Sequence, residues 1–136
     1  MKVALVSGYF NPIHPGHVDL FRRAKGISDE LWVIVKNDHQ ANLKRKIPSF
    51  QDEKYRMDIV GSIGCVDRVV LSIDKDLSVN NTIKHLITEH QGHDYVLAKG
   101  GDASTRDVLE KDLCQLHNIE IIVDLGEKTH SSSNYI

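Results

Sequence analysis

Two kinds of hydrophobic block alternate along this chain. Short apolar runs without period-two alternation, Val3, Ala4, Leu5 and Val6 near the start and Leu31 to Val35 further on, read as strands buried on both faces, as in a parallel sheet. Three more runs share that pattern: Asp67 to Ile73, the residues from Tyr95 that end at Lys99, and the IEIIVDL stretch after Asn118. Between them the spacing is helical. Val18, Phe21 and Ala24 fall on one face with Leu20 beside them, and Gly26 is placed to end that helix. Pro48 and Ser49 suit the start of a second helix carrying Tyr55, Ile59, Val60 and Ile63 at helical spacing. A third runs from about Thr82 to His90 with Ile83, Leu86 and Ile87 inward, and a fourth follows Thr105 with Val108, Leu109, Leu113 and Leu116 on its face. The basic stretch from Ala41 to Pro48 reads as a loop. Five strands alternating with four helices predict an α/β protein with one open parallel sheet covered on both faces.

Composition narrows the class. A chain of 136 residues suits one domain with a real core, spanning residues 1–136. With 40% hydrophobic and 26% charged residues it reads as an ordinary globular protein, and a formal charge of −2 argues against a dedicated nucleic-acid binder. Anionic ligands would be drawn by local clusters, of which Lys44, Arg45 and Lys46 form the densest. Met1 and Lys2 run straight into the first strand and no apolar run reaches membrane-spanning length, so the expectation is a cytoplasmic protein without a membrane partner. Cys65 and Cys114 are far apart and form no CxxC pair, which favours reduced thiols. His85, His90 and His93 lack a carboxylate or cysteine at ligand spacing, so no protein-held metal is expected there.

The candidate chemistry sits where the first strand meets the first helix, in GYFNPIHPGH from Gly8 to His17. Gly8, Pro12, Pro15 and Gly16 turn the chain sharply, and His14 and His17 stand where the loop enters the helix. Backbone N–H groups of such a loop and the positive end of the helix face the crevice beyond the strand ends, which suits a phosphate. Lys36, Asn37 and Asp38 follow the second strand and face the same crevice if the strands are parallel neighbours. Lys99, Gly100, Gly101 and Asp102 follow the fourth strand, the composition needed where backbone approaches a ligand closely.

Strand, GxFxxxHxGH loop and helix together resemble the cytidylyltransferase-like nucleotidyltransferases, near glycerol-3-phosphate cytidylyltransferase and the ADP-heptose-forming adenylyltransferase. The resemblance covers nearly the whole chain and implies a Rossmann-like sheet of strand order 3-2-1-4-5. It places His14 and His17 at the phosphates of a nucleoside triphosphate as catalytic residues, with Lys44 and Lys46 beside them. Nucleotide binding would extend to Gly8, Tyr9, Phe10, Lys99, Gly100, Asp102 and the serines Ser131, Ser132 and Ser133, which resemble the family's hydroxyl-rich ISTT motif. Asn11, Asp38, Lys44 and Arg56 would meet the second substrate.

The implied activity is transfer of CMP from CTP to a small phosphorylated alcohol or sugar with release of pyrophosphate, aided by Mg2+, in an enzyme of a type often homodimeric. The alternative donor is ATP, to which the KGGD stretch leans. Asn11 stands where many relatives carry Asp, Lys54 where an acidic residue is expected, and Ala103 where an aromatic often follows. Those departures motivate a second reading, a non-catalytic nucleotide-binding module. A flavodoxin-like scaffold shares the fold class without needing the two histidines.

Overall fold

The computed structural model describes residues 1–45, 51–100 and 108–123. In chain order the elements are β1 (Lys2–Gly8), α1 (Pro15–Gly26), β2 (Glu30–Val35), α2 (Asp38–Arg45), α3 (Glu53–Gly61), β3 (Arg68–Leu71), α4 (Asn80–Glu89), β4 (Asp94–Ala98), α5 (Lys111–Leu116) and β5 (Glu120–Ile122). All five strands pair in parallel in the order β3-β2-β1-β4-β5, as the resemblance implies. The order reverses beside β1, and in such sheets ligands bind beyond the carboxyl ends of the strands at that switch point.

Each apolar run is continuous because both faces of the sheet are covered. Val3, Leu5, Trp32, Ile34 and Leu97 pack on one side with Ile83 and Leu86 of α4 and Cys114 of α5. Ala4, Val6, Leu31, Val33 and Val96 pack on the other with Phe21 and Ala24 of α1 and Val60 of α3. The register aligns Gly8 with Val35 and Val35 with Leu71, so β1, β2 and β3 end level and deliver their following residues to one rim.

Several boundaries differ from the sequence expectation. Residues 38–45 form α2 rather than a loop. Asn37 Oδ1 accepts the Gln40 N–H at 2.9 Å and Gln40 Oε1 accepts the Asn37 N–H at 3.0 Å, a reciprocal cap that starts the helix. Gln40, fully buried, also donates to Asp76 O and Ser78 O, both at 2.7 Å, tying α2 to the β3–α4 connection. Pro48 and Ser49, expected to start the next helix, lie outside the described residues; α3 begins at Glu53 with Asp52 as its N-cap, whose carboxylate accepts the Tyr55 N–H at 2.8 Å. Its inward face is Arg56 and Val60, while Tyr55 is 55% exposed. Gly26 is the last residue of α1, and the turn is made by Ile27 and Ser28, whose hydroxyl caps Ala24 O. In α5 the helix begins only at Lys111, which turns Leu109 and Leu116 to solvent and puts Glu110 and Cys114 inside. Among the described residues there are thus five helices rather than four. No described helix is long and apolar enough to cross a membrane.

Candidate functional site

The loop that leaves β1 is shaped by its own side chains. Phe10 takes a left-handed backbone conformation, φ 52°, uncommon for a bulky residue. It is stabilised there by burial: the ring is 4% exposed and meets Phe21 edge-on at 5.4 Å and His17 edge-on at 5.0 Å. Gly8 lies directly beneath that ring, and a Cβ on Gly8 would come within 2.8 Å of Phe10 Cζ. The glycine is therefore needed for close approach. Asn11 is 5% exposed, and its Oδ1 accepts the Gln51 N–H at 2.9 Å, pinning the loop to the start of the α3 region.

His14 and His17 form one unit at the start of α1. His14 is the N-cap, and its Nδ1 accepts the Gly16 N–H at 3.1 Å. His17 Nδ1 accepts the His14 N–H, also at 3.1 Å, and the two rings stack at 3.7 Å with an interplanar angle of 25°. A nitrogen that accepts carries no proton, so the hydrogen bonds assign both rings the tautomer with hydrogen on Nε2. Among the described residues nothing accepts from either Nε2. Burial, and then the neighbouring His14, push the His17 pKa down to about 4, so His17 is neutral at physiological pH. The result is a pair of Nε2–H donors beside the positive end of a helix of 12 residues, an arrangement built to meet anionic oxygens.

Ammonium groups come to the same rim from three elements. Lys36 follows β2; its backbone N–H donates to Gly8 O at 2.9 Å, and its Nζ lies 4.7 Å from the Tyr9 ring centroid and donates to Leu77 O at 2.7 Å. Lys44, carried by α2, puts its Nζ 5.2 Å from the same ring. Lys99, past β4, donates to Ser7 Oγ at 3.4 Å and lies 3.7 Å from Glu110 Oε1. Burial lowers the Lys36 pKa and Lys99 and Lys44 lower it further, against Glu110 and Asp76, so these groups share one electrostatic neighbourhood. Glu110 is 2% exposed, and its other oxygen accepts the Val79 N–H at 2.9 Å.

Arg56, expected to meet substrate, has no exposed surface. Its NH1 donates to Tyr9 O at 2.7 Å and Lys36 O at 2.6 Å, its NH2 to Asp38 Oδ1 at 2.9 Å and its Nε to Gln51 O at 2.9 Å. It works inside the fold, holding the two chain segments that leave β1 and β2 in fixed relation. Asn11 and Phe10 are likewise turned into the protein, so their effect on a ligand passes through the loop they hold. Asp38 keeps 37% of its side chain exposed beside Arg56.

Of the residues singled out in the sequence, Gly8, Tyr9, His14, His17, Asp38, Lys44, Lys99 and Gly100 lie along or next to the carboxyl rim of the sheet. Lys46, Asp102, Ser131, Ser132 and Ser133 lie outside the described residues. Lys36, expected at the crevice from its place after the second strand, lies there but had been given no role of its own; Glu110 was not among the candidates and had no signal, because a glutamate beside a short helix reads as surface. Among the described residues no group of three or more His, Cys, Asp or Glu could hold a metal ion, and Cys65 and Cys114 are free thiols.

Similarity to known proteins agrees with this geometry. Bifunctional protein HldE of Azorhizobium caulinodans is 35% identical over 96% of this chain, which spans 26% of that protein's length. FAD synthase of Methanosarcina barkeri is 34% identical over 63% of this chain, covering 59% of its own length, so the chain spans less than two thirds of either relative. A solved structure, the lipopolysaccharide core biosynthesis protein from Thermoplasma volcanium, superposes with a TM-score of 0.69 over 90% of this chain and 95% of its own at 23% identity, which speaks to the fold alone. The model of the cytidylyltransferase-like family matches residues 5–134, and the chain belongs to that family.

Proposed function

We propose that this protein transfers a nucleotidyl group from a nucleoside triphosphate, ATP in the first instance, to the phosphate of a small phosphorylated molecule. An acceptor phosphate oxygen bonds to the α-phosphorus, the bond from the α-phosphorus to the bridging oxygen breaks, and its electron pair leaves with pyrophosphate. The acceptor is already a nucleophile, so the chain needs no covalent intermediate and no strong base. It must align the two reactants and neutralise the charge that builds up on the phosphates.

The observation that carries the reading is the histidine pair, with each Nδ1 tied to backbone and each Nε2–H left to donate beside the positive end of α1. His14 and His17 would donate to the α and β phosphates, with Lys44 and, from the sequence resemblance, Lys46 at the β and γ phosphates. Lys99, Gly100, Asp102 and the serines 131–133 would complete nucleotide binding. Mg2+ would be carried by the triphosphate itself: among the described residues the rim offers imidazoles, ammonium groups, a carboxylate paired with Arg56 and the buried Glu110 facing Lys99, and no group of three or more ligating side chains.

ATP takes precedence over the CTP expected from the sequence because one relative is named FAD synthase, and its product contains an adenylyl group. CTP is the second reading, favoured by the cytidylyltransferase-like character of the family. Pyrophosphate release measured with each of the four triphosphates against a panel of phosphorylated alcohols, sugars and flavin decides between them. Release with ATP alone is the expected result, release with CTP alone selects the second reading, and tight triphosphate binding with no release under any pairing overturns catalysis in favour of a binding module.

A further inference from the structure

We propose that Lys36 is the residue that recognises the acceptor's phosphate. The inference rests on the transferase reading above and adds to it the identity of the group that takes the second substrate.

Lys36 is placed for this role by backbone geometry. Its N–H bond to Gly8 O and its carbonyl bond from Arg56 fix it level with the start of the phosphate loop. Its Nζ spends one donor on Leu77 O and rests on the face of Tyr9, and its other two N–H donors have no acceptor among the described residues. The side chain is half-buried, so those donors are partly withdrawn from water and gain more from an anion than a surface lysine would.

The charges at the rim leave Lys36 for a second anion. Lys36, Lys44 and Lys99 are three ammonium groups converging on one rim. Glu110, the buried counter-charge, faces Lys99 with one oxygen and is bonded to Val79 N–H by the other. Asp76 is exposed, and its carboxylate already accepts from the Ser78 N–H and hydroxyl. With Lys44 assigned to the triphosphate and Lys99 facing Glu110, Lys36 is the ammonium at this rim left for a second anion, and a phosphate monoester, carrying roughly −1.5 to −2, supplies that charge. The histidine pair is a separate donor set at the start of α1. In a displacement at phosphorus the attacking and leaving oxygens lie roughly in line on opposite sides of the reacting centre, so the acceptor needs cations of its own.

The test uses the full chain carrying 13C-labelled lysine with its ammonium groups unmodified, the Lys36 Cε signal being identified by its loss in Lys36→Arg. Inorganic phosphate, titrated at constant ionic strength, is expected to move the Lys36 resonance and raise its titration midpoint both in the free protein and after saturation with a non-hydrolysable triphosphate analogue. A Lys36 signal that ignores phosphate while the analogue binds overturns the inference and leaves the transferase reading standing. A Lys36 signal that answers phosphate only until the analogue is bound assigns Lys36 to the triphosphate and overturns it too. Failure of the analogue to bind at all marks the failure of the underlying reading instead. In turnover, Lys36→Gln should raise the acceptor KM by about tenfold with the triphosphate KM little changed, and Lys36→Arg should recover part of the loss. Equal effects on both KM values would refute the assignment.

Discussion

His14 and His17 fix one another's chemistry: the backbone N–H of His14 donates to His17 Nδ1 at 3.1 Å, and the rings stack at 3.7 Å. Removing the second ring therefore deletes one phosphate donor and loosens the other. His17→Ala should lower the rate of pyrophosphate release by about a hundredfold, the ~3 kcal/mol typical of one preorganised donor, with a smaller change in triphosphate affinity. Single-turnover kinetics under saturating substrates would check this, and wild-type turnover would remove His17 from the mechanism.

The same burial makes His17 a source of acid sensitivity. Its pKa is about 4 in the folded protein, below the ordinary 6.5, so between those values the unfolded chain takes up a proton that the folded one does not. Stability from this residue is fully present above the unfolded value and is lost as pH falls from 6.5 towards 4, by at most about 1.4 kcal/mol per pH unit. Melting temperatures across that window should fall less steeply for His17→Gln than for the wild type; parallel profiles would contradict the assignment.

Arg56 gives a prediction opposite to that for a substrate-binding arginine. Substitution by Met leaves Tyr9 O and Lys36 O without their shared donor and Asp38 without its buried partner, which should cost about 3 kcal/mol or more in denaturant unfolding. Lysine should rescue little, since an ammonium lacks the planar fork that spans four acceptors. A variant as stable as the wild type with only a raised KM would return Arg56 to the substrate side.

Gly8→Ala tests whether loop shape governs the histidines. The added methyl would sit 2.8 Å from Phe10 Cζ, so the ring must shift, and it is the ring that braces His17. The expected cost in stability is about 1–3 kcal/mol, with pyrophosphate release falling well beyond what the unfolded fraction explains. Activity that tracks only the folded fraction would separate Phe10 from the site.

Much of this was legible from the chain because a parallel sheet writes itself as uninterrupted apolar runs, and Val3 to Val6, Leu31 to Val35 and Tyr95 to Ala98 all fall in observed strands. The βα turn was legible for the same reason: glycine, proline and histidine types at that junction have few other uses. Helix α2 was hidden by its basic residues, although Asn37 and Gln40 stand at capping-box spacing. The inward face of α3 was read correctly at Val60 but not at Tyr55 and Arg56, because a buried arginine violates the hydrophobic pattern, and only the four acceptors around Arg56 make that placement tolerable. Glu110 escaped for a related reason, its burial being decided by Val79 and Lys99, which lie far from it in sequence.

Phe10 belongs to two communities at once, touching Phe21 of the interior on one edge and His17 on another. Interior and reaction mouth therefore share a single partition. A conservative swap at Phe21 that the hydrophobic core would absorb is transmitted as a tilt of an imidazole, so tolerance measured by folding and tolerance measured by turnover should diverge along the inner face of α1.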